Sequence, residues 1–255
     1  MNQALLVGIN QYPYPNTLNG CIDDIIDVAS ELTSAFSVDP NSITQLRDGD
    51  ATADAIRSTL SRLVNGLQDG DRFLFWYSGH GAQLQDGCAA TDVICPIDFD
   101  WTAQHSVTVS DFHAIFKNIP PNAKAFWGSD SCHSGDLNKG LYRFGVPRLF
   151  RRDSSMVPAA PVPTSYQRMR DISTALPNIV LISGCRSDQT SADADIQGRY
   201  NGAFTYYFLQ ALREPKGTTM PMNELVPEVQ KKLNSACYSQ IPQMTPSGVA
   251  RPFLQ

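Results

Sequence analysis

The chain has 255 residues, 42 % of them hydrophobic and 18 % charged, with a formal net charge of −5. That suffices for one large α/β domain or two small ones, and the acidic balance argues against a general nucleic-acid binder. The start MNQALLVGIN lacks the basic residues and apolar length of a signal peptide, and no run reaches a membrane span, so a soluble, cytoplasmic protein is expected.

In chain order, short apolar runs alternate with amphipathic stretches, the pattern of a mainly parallel sheet flanked by helices. ALLVGI (4–9) reads as a buried strand. CIDDIIDVASELTSAF (21–36) spaces Ile22, Ile25, Ile26, Ala29 and Leu32 as a helix does. SITQLRD (42–48) is a short strand, and TADAIRSTLSRLVNGL (52–67) a helix with Thr52 as N-cap and Gly66 near its end. RFLFWYSG (72–79) is a strand apolar on both faces, followed by short pieces that include DVICPIDFD (92–100). VSDFHAIFKNI (109–119) is helical, AKAFWGSD (123–130) and NIVLISGC (178–185) are central strands, and GAFTYYFLQAL (202–212) is a helix. A last helix spans NELVPEVQKKLNSAC (223–237), where Pro227 is tolerable only in the first turn. RPFL suggests a closing strand.

Residues 136–177 break this rhythm, with Pro147, Pro158, Pro161, Pro163 and Pro177 and few aliphatic clusters. The stretch reads as an exposed, extended linker. Within 139–170 it carries seven basic residues, Lys139, Arg143, Arg148, Arg151, Arg152, Arg168 and Arg170, against the single acid Asp153. No internal repeat is visible. The chain reads as one domain over 1–255, with a larger part (1–135), this linker and a smaller part (178–255).

Six cysteines, Cys21, Cys88, Cys95, Cys132, Cys185 and Cys237, include no C-x-x-C pair, and no Cys or His stands at zinc spacing. Neither a disulfide framework nor structural zinc is expected. Three predicted strands end in polar, glycine-rich turns: GINQYPYPNTLNGC, YSGHGAQL and SDSCHSGD. In a parallel sheet these carboxyl ends share one edge, where ligands bind. A cysteine at a strand end is by itself an ordinary packing residue. Cys132, however, shares that edge with His80 on a second glycine-flanked turn, and a thiol needs such a base to reach its nucleophilic form. The backbone N–H groups of Gly81 and Cys132 are candidate oxyanion donors. A nucleotide-binding reading fits the coarse fold but lacks a G-x-G-x-x-G turn after the first strand.

The segments ALLVGINQYPYPNTLNGCIDDIIDVASEL, FLFWYSGHGAQL, CPIDF, DSCHSG and ISGCRSDQTSADA, in this order, resemble the metacaspases and related bacterial caspase-like peptidases over nearly the whole length. His80 precedes Cys132 at the separation typical of the caspase group. The resemblance implies a caspase-like three-layer α/β sandwich around a mostly parallel sheet of six to eight strands. It also implies a cysteine endopeptidase with Cys132 as nucleophile and His80 as general base and acid.

By motif position, the resemblance places Asp24, Ser78 and Asp130 in the specificity pocket, with Cys21 on its wall. Asp130 stands two residues before Cys132 and Ser78 two before His80, so alternation puts each pair on one side of an extended segment. Two carboxylates in one pocket call for a cation, so cleavage after Arg or Lys is expected, and cleavage after Asp is not. The linker then becomes a substrate, with Arg148, Arg151, Arg152, Arg168 and Arg170 as self-cleavage candidates in a zymogen-like chain. The resemblance also raises calcium. Asp92 and Asp111 match acidic positions of the family's calcium site, but Ser110 and Lys139 replace two further acids there, so activity without calcium or any other cofactor is expected. It further implies a monomer acting on protein substrates, with neither nucleic acid nor membrane as partner. The rival reading is a catalytically silent caspase-like scaffold, although such proteins commonly lose the Cys or His that both stand here. Legumain-like and gingipain-like peptidases share the fold but match the flanking motifs less well.

Overall fold

The longest apolar runs form the centre of a six-stranded sheet in a computed structural model that describes residues 2–86, 88–131, 146–148, 165–176, 178–186 and 189–255. Its strands are β1 (Asn2–Gly8), β2 (Ile43–Arg47), β3 (Arg72–Ser78), β7 (Lys124–Asp130), β10 (Ile179–Ser183) and β13 (Gln243–Thr245). Their order is β13-β10-β7-β3-β1-β2, parallel except for β13, which runs antiparallel to β10.

Alternation along the strands divides the core into two layers. Phe73, Phe75 and Tyr77 of β3, with Ala125 and Trp127 of β7, face one cluster, which packs on α2 (Ala53–Asn65), α3 (Val109–Phe116) and α4 (Arg170–Ala175). Leu74, Trp76 and Phe126 face the other, covered by α1 (Cys21–Phe36), α5 (Ala203–Leu212) and α6 (Met222–Ser235). Trp76 and Trp127 are both essentially inaccessible to solvent, and burial of side chains this large contributes on the order of 2–3 kcal/mol each. Gly128 has no side chain because the Trp76 ring lies where a Cβ would stand. Two small sheets flank the main one. One joins β4 (Gly81–Asp86), β5 (Ala89–Ile94), β6 (Val107–Thr108) and β9 (Ser165–Gln167); the other joins β8 (Val146–Pro147), β11 (Ala192–Ile196) and β12 (Arg199–Gly202).

Local signals act where the sequence places them. Thr52 caps α2 by accepting from the Ala55 N–H, and Thr108 and Asp111 form a reciprocal capping box on α3. Four expectations need correction. The buried face of α1 is Cys21, Asp24, Ile25, Val28, Glu31 and Leu32, and Ile26 is exposed; the helix is turned so that Asp24 enters a polar pocket. Pro227 sits inside α6, beyond its first turn. Pro227 and Asn223 are both exposed, so the Asn223 carbonyl deprived of a donor faces solvent. RPFL makes only an isolated bridge, Pro221 to Pro252, neither of which has an N–H to give, and β13 closes the sheet instead. The supposed exposed linker contains β8, β9 and α4, with Ile172 and Arg148 buried.

Candidate active site

Ser78 and Asp130 are register partners at the carboxyl ends of β3 and β7. Two residues further on, the chain reaches His80 on one strand and Cys132 on its neighbour; Cys132 itself lies outside the described residues. His80 is buried against the loop after β1. Its ring lies 4.6 Å from that of Tyr12, and its Nε2 is 2.6 Å from the Asn16 carbonyl oxygen. A carbonyl can only accept, so Nε2 carries the hydrogen and Nδ1 is left as the basic nitrogen. The backbone is fixed as well: His80 N–H donates to the Tyr12 hydroxyl, and the Tyr77 hydroxyl donates to the His80 carbonyl. Burial lowers the pKa of His80 to about 4, against hydrogen bonds from Asn16 and Arg148 that raise it. The imidazole is therefore neutral at physiological pH.

On the α1–α5 side of the same edge, Asp24, Ser78 and Asp130 converge on one buried pocket, and Cys21 lies beside Ser78 with its thiol pushed up by burial. The pocket holds the guanidinium of Arg148, which is completely buried. Its two terminal nitrogens divide the acceptors. Nη1 donates to Ser78 Oγ at 2.5 Å and to the Asp130 carbonyl at 3.1 Å, with the Asp130 carboxylate at 3.6 Å. Nη2 lies 2.9 Å from Asp24 and 3.0 Å from Asp193.

Further donors hold these carboxylates. Asp24 accepts from Gly202 N–H at 2.8 Å and Asn201 Nδ2 at 3.2 Å, and Asp130 from the Thr205 N–H and hydroxyl, each at 2.8 Å, and from Ser191 Oγ. Asp193 accepts from Asn19 and Gly20 N–H, which ties the start of α1 to β11. Gly202 is obligatory, because a Cβ there would meet Asp130, Asp24 and Arg148. Burial raises the pKa of Asp24 to about 6; Arg148 opposes that rise and Asp130 adds to it.

The backbone around Arg148 is as closely held as its side chain. Val146 and Pro147 pair antiparallel with Asp193 and Ala192, and Arg148 N–H donates to the Ser191 carbonyl at 3.1 Å. The Arg148 carbonyl accepts the Gly81 N–H at 3.2 Å. A short strand, a basic side chain in an acidic pocket and a carbonyl on a backbone donor beside an imidazole are the features of a peptide bound for cleavage.

The other self-cleavage candidates stand elsewhere. Arg168 follows β9 and Arg170 opens α4, away from the pocket, while Arg151 and Arg152 lie outside the described residues. Of the calcium candidates, Asp92 accepts from Met169 N–H at 3.2 Å, and Asp111 is engaged in the α3 capping box, 3.9 Å from Arg57. These carboxylates serve backbone donors and a cation, which fits calcium poorly; Lys139 lies outside the described residues. Sequence reasoning missed Asp193, Ser191, Thr205 and Gly202 in the pocket, and Tyr12 and Asn16 behind His80. Asp193 falls within the TSADA motif, where two alanines flank an acid on a strand, and that alternation was the available signal.

The fold and this edge define a caspase-type cysteine peptidase: the profile described as "Caspase domain" matches residues 1–254, and the chain belongs to that family. Its relatives include Metacaspase-1 of Scheffersomyces stipitis and Metacaspase-1A of Aspergillus terreus. Each is 30 % identical, with 95 % of this chain and 70 % of the relative covered. Among solved structures, a Geobacter sulfurreducens protein superposes with a TM-score of 0.71 at 22 % identity, over 99 % of this chain and 97 % of its own. Caspase-1 from Spodoptera frugiperda gives 0.61 at 14 %, over 98 % and 88 %.

Proposed function

We propose that this chain is a Cys–His endopeptidase that cuts after Arg or Lys, and that it processes itself after Arg148. The observation that carries this reading is Arg148 itself, seated in the acidic pocket with its carbonyl on the Gly81 N–H. In the first half-reaction the Cys132 thiol gives its proton to His80 Nδ1, and the sulfur adds to the carbonyl carbon after the basic residue. The oxyanion takes the Gly81 N–H, with the Cys132 N–H as second donor. The C–N bond then breaks, His80 returns the proton to the leaving amine, and a thioester remains. Water, deprotonated by the same imidazole, releases the acid and restores the thiol.

Activity is expected without calcium, because Asp92 and Asp111 are already committed to other partners. β13 offers an edge of only three residues, which supports a monomer, and among the described residues no helix is long and apolar enough to cross a membrane.

Fluorogenic peptides ending in Arg, Lys or Asp, assayed with the wild type and Cys132→Ala in calcium and in EDTA, test the reading. Hydrolysis after Arg that Cys132→Ala abolishes and EDTA leaves intact is expected, together with a fragment ending at Arg148 in the intact mass. Cleavage after Asp, or dependence on calcium, overturns the corresponding part. Silence on every substrate favours the scaffold.

A further inference from the structure

Resting on that reading, a second question is what the enzyme recognises beyond the cut. The ladder between β8 and β11 pairs Val146 with Asp193 and Pro147 with Ala192, and Arg148 bonds Ser191. Continued by the same antiparallel count, the two residues after the scissile bond run toward Thr190 and Gln189. Just there, on the face of the sheet opposite the acidic pocket, opens a cavity of about 310 Å³. Cys185 joins the two regions: its thiol lies 3.7 Å from the Ser131 carbonyl, the peptide leading into Cys132, and 3.5 Å from the Gln189 carbonyl. Both Cys185 and Ser131 line the cavity.

The cavity's chemistry is the reverse of the pocket's. Its charged lining, among the described residues, is Arg168, Arg170 and Arg186 against the one carboxylate of Asp92, which already accepts the Met169 N–H. The side chains of Ser129, Ser131 and Ser183 add hydroxyls. Guanidinium groups with hydroxyls are a site for a carboxylate. We propose that this cavity is a subsite for the leaving side of the substrate and that it selects an acidic residue at the second or third position after the cut. The enzyme would then read a basic residue before the bond in one pocket and an acidic one after it in another, on opposite faces of one sheet.

The chain's own sequence after Arg148 is Leu149-Phe150-Arg151-Arg152, which offers cations to this cationic cavity. Self-cleavage therefore proceeds against like charge, and a substrate with acids at those positions is the better one.

Two experiments test the inference. The first uses internally quenched peptides with Arg before the cut and Glu or Lys at both the second and third positions after it. The wild type is expected to favour the Glu peptide about tenfold in kcat/KM, with the ratio falling as salt rises. Arg186→Glu and Arg168→Glu are each expected to collapse or invert the ratio, and Arg186→Lys to retain most of it. Because both peptides meet the same enzyme, general damage from a substitution cancels. The second is intact-mass kinetics on the full chain, where Arg151→Glu/Arg152→Glu is expected to accelerate processing after Arg148. A ratio near one, or a ratio unmoved by Arg186→Glu and Arg168→Glu, overturns the subsite while leaving the peptidase reading in place. Absence of cleavage of every Arg peptide, including fluorogenic ones with nothing after the cut, overturns the peptidase and the subsite with it.

Discussion

Replacing Arg148 by Gln is the sharpest perturbation of the uncut chain. The guanidinium lies 2.9, 3.0 and 3.6 Å from three carboxylates, of Asp24, Asp193 and Asp130, and all four side chains are fully buried or nearly so. Gln matches the polarity and much of the length but removes the charge. Breaking a buried ion pair from one side costs about 3–5 kcal/mol, because the partner stays behind uncompensated. Here water can reach the pocket once the segment around 148 lets go, so the lower figure applies. For a domain of this size, about 3 kcal/mol lowers Tm by roughly 6–12 °C.

The deficit also depends on pH. Asp24 in the folded chain holds its proton up to about pH 6, above its ordinary value, so the native state binds more protons than the unfolded state through that window and loses stability as pH rises across it. Without Arg148 the opposing attraction is gone, the carboxyl rises further, and the loss continues to higher pH. Thermal melts of Arg148→Gln and its parent, both in the Cys132→Ala background so that neither is cut, should show a gap wider at pH 8 than at pH 5. Equal melting temperatures, or a gap that does not change with pH, would refute the electrostatic account of the pocket.

Other outcomes follow from the same geometry. Asp193→Asn removes one of the two acceptors of Nη2, which a single ammonium cannot share in the same way, so kcat/KM for Arg peptides should fall more than for Lys peptides, by about tenfold. An unchanged Arg-to-Lys ratio would show that Asp193 does not read the substrate. Gly202→Ala puts a methyl against Asp130, Asp24 and Arg148 and should suppress self-cleavage in intact-mass assays while circular dichroism still reports a folded chain. Burial lowers the His80 pKa to about 4 with Arg148 in place. The acid limb of single-turnover self-cleavage should therefore lie near that value, and the limb for added peptides nearer the ordinary imidazole value of about 6.5, once Arg148 has left and water reaches the ring. Coincident limbs in pH-jump and steady-state measurements would contradict this.

What the sequence made legible follows the range of the interactions involved. α1 matches its predicted bounds of 21 and 36 end to end, and Thr52 caps α2 as read, because periodicity and capping are local. Asp24, Ser78 and Asp130 could be grouped because they lie at fixed motif offsets on two strands and a helix start. Asp193 could not, since β11 reaches the pocket only through its pairing with β8 and β12. β13 was missed because three residues, Gln-Met-Thr, carry no pattern. The misreading of Arg148 is the instructive one. A run of cations reads as solvated until something acidic is found to bury one of them, and composition does not show that the acids and the arginine share a pocket. Tyr12 and Asn16 behind His80 are likewise contacts across a loop, invisible to spacing.

Arg148 has a consequence for the life of the enzyme after its first cut. Breaking the bond after residue 148 leaves that arginine as a new chain end, still joined through the intervening residues to Asp130 at the end of β7. Such a leash holds the end near its own pocket at an effective concentration on the order of millimolar, so each molecule carries a competitor that dilution cannot remove. Incoming substrates are filtered by whether they outbid it, and weak ones do not. Full release would take a second scission upstream, where Lys139 and Arg143 supply the basic residues. The number of cuts a molecule has made in itself would then set how selective it is.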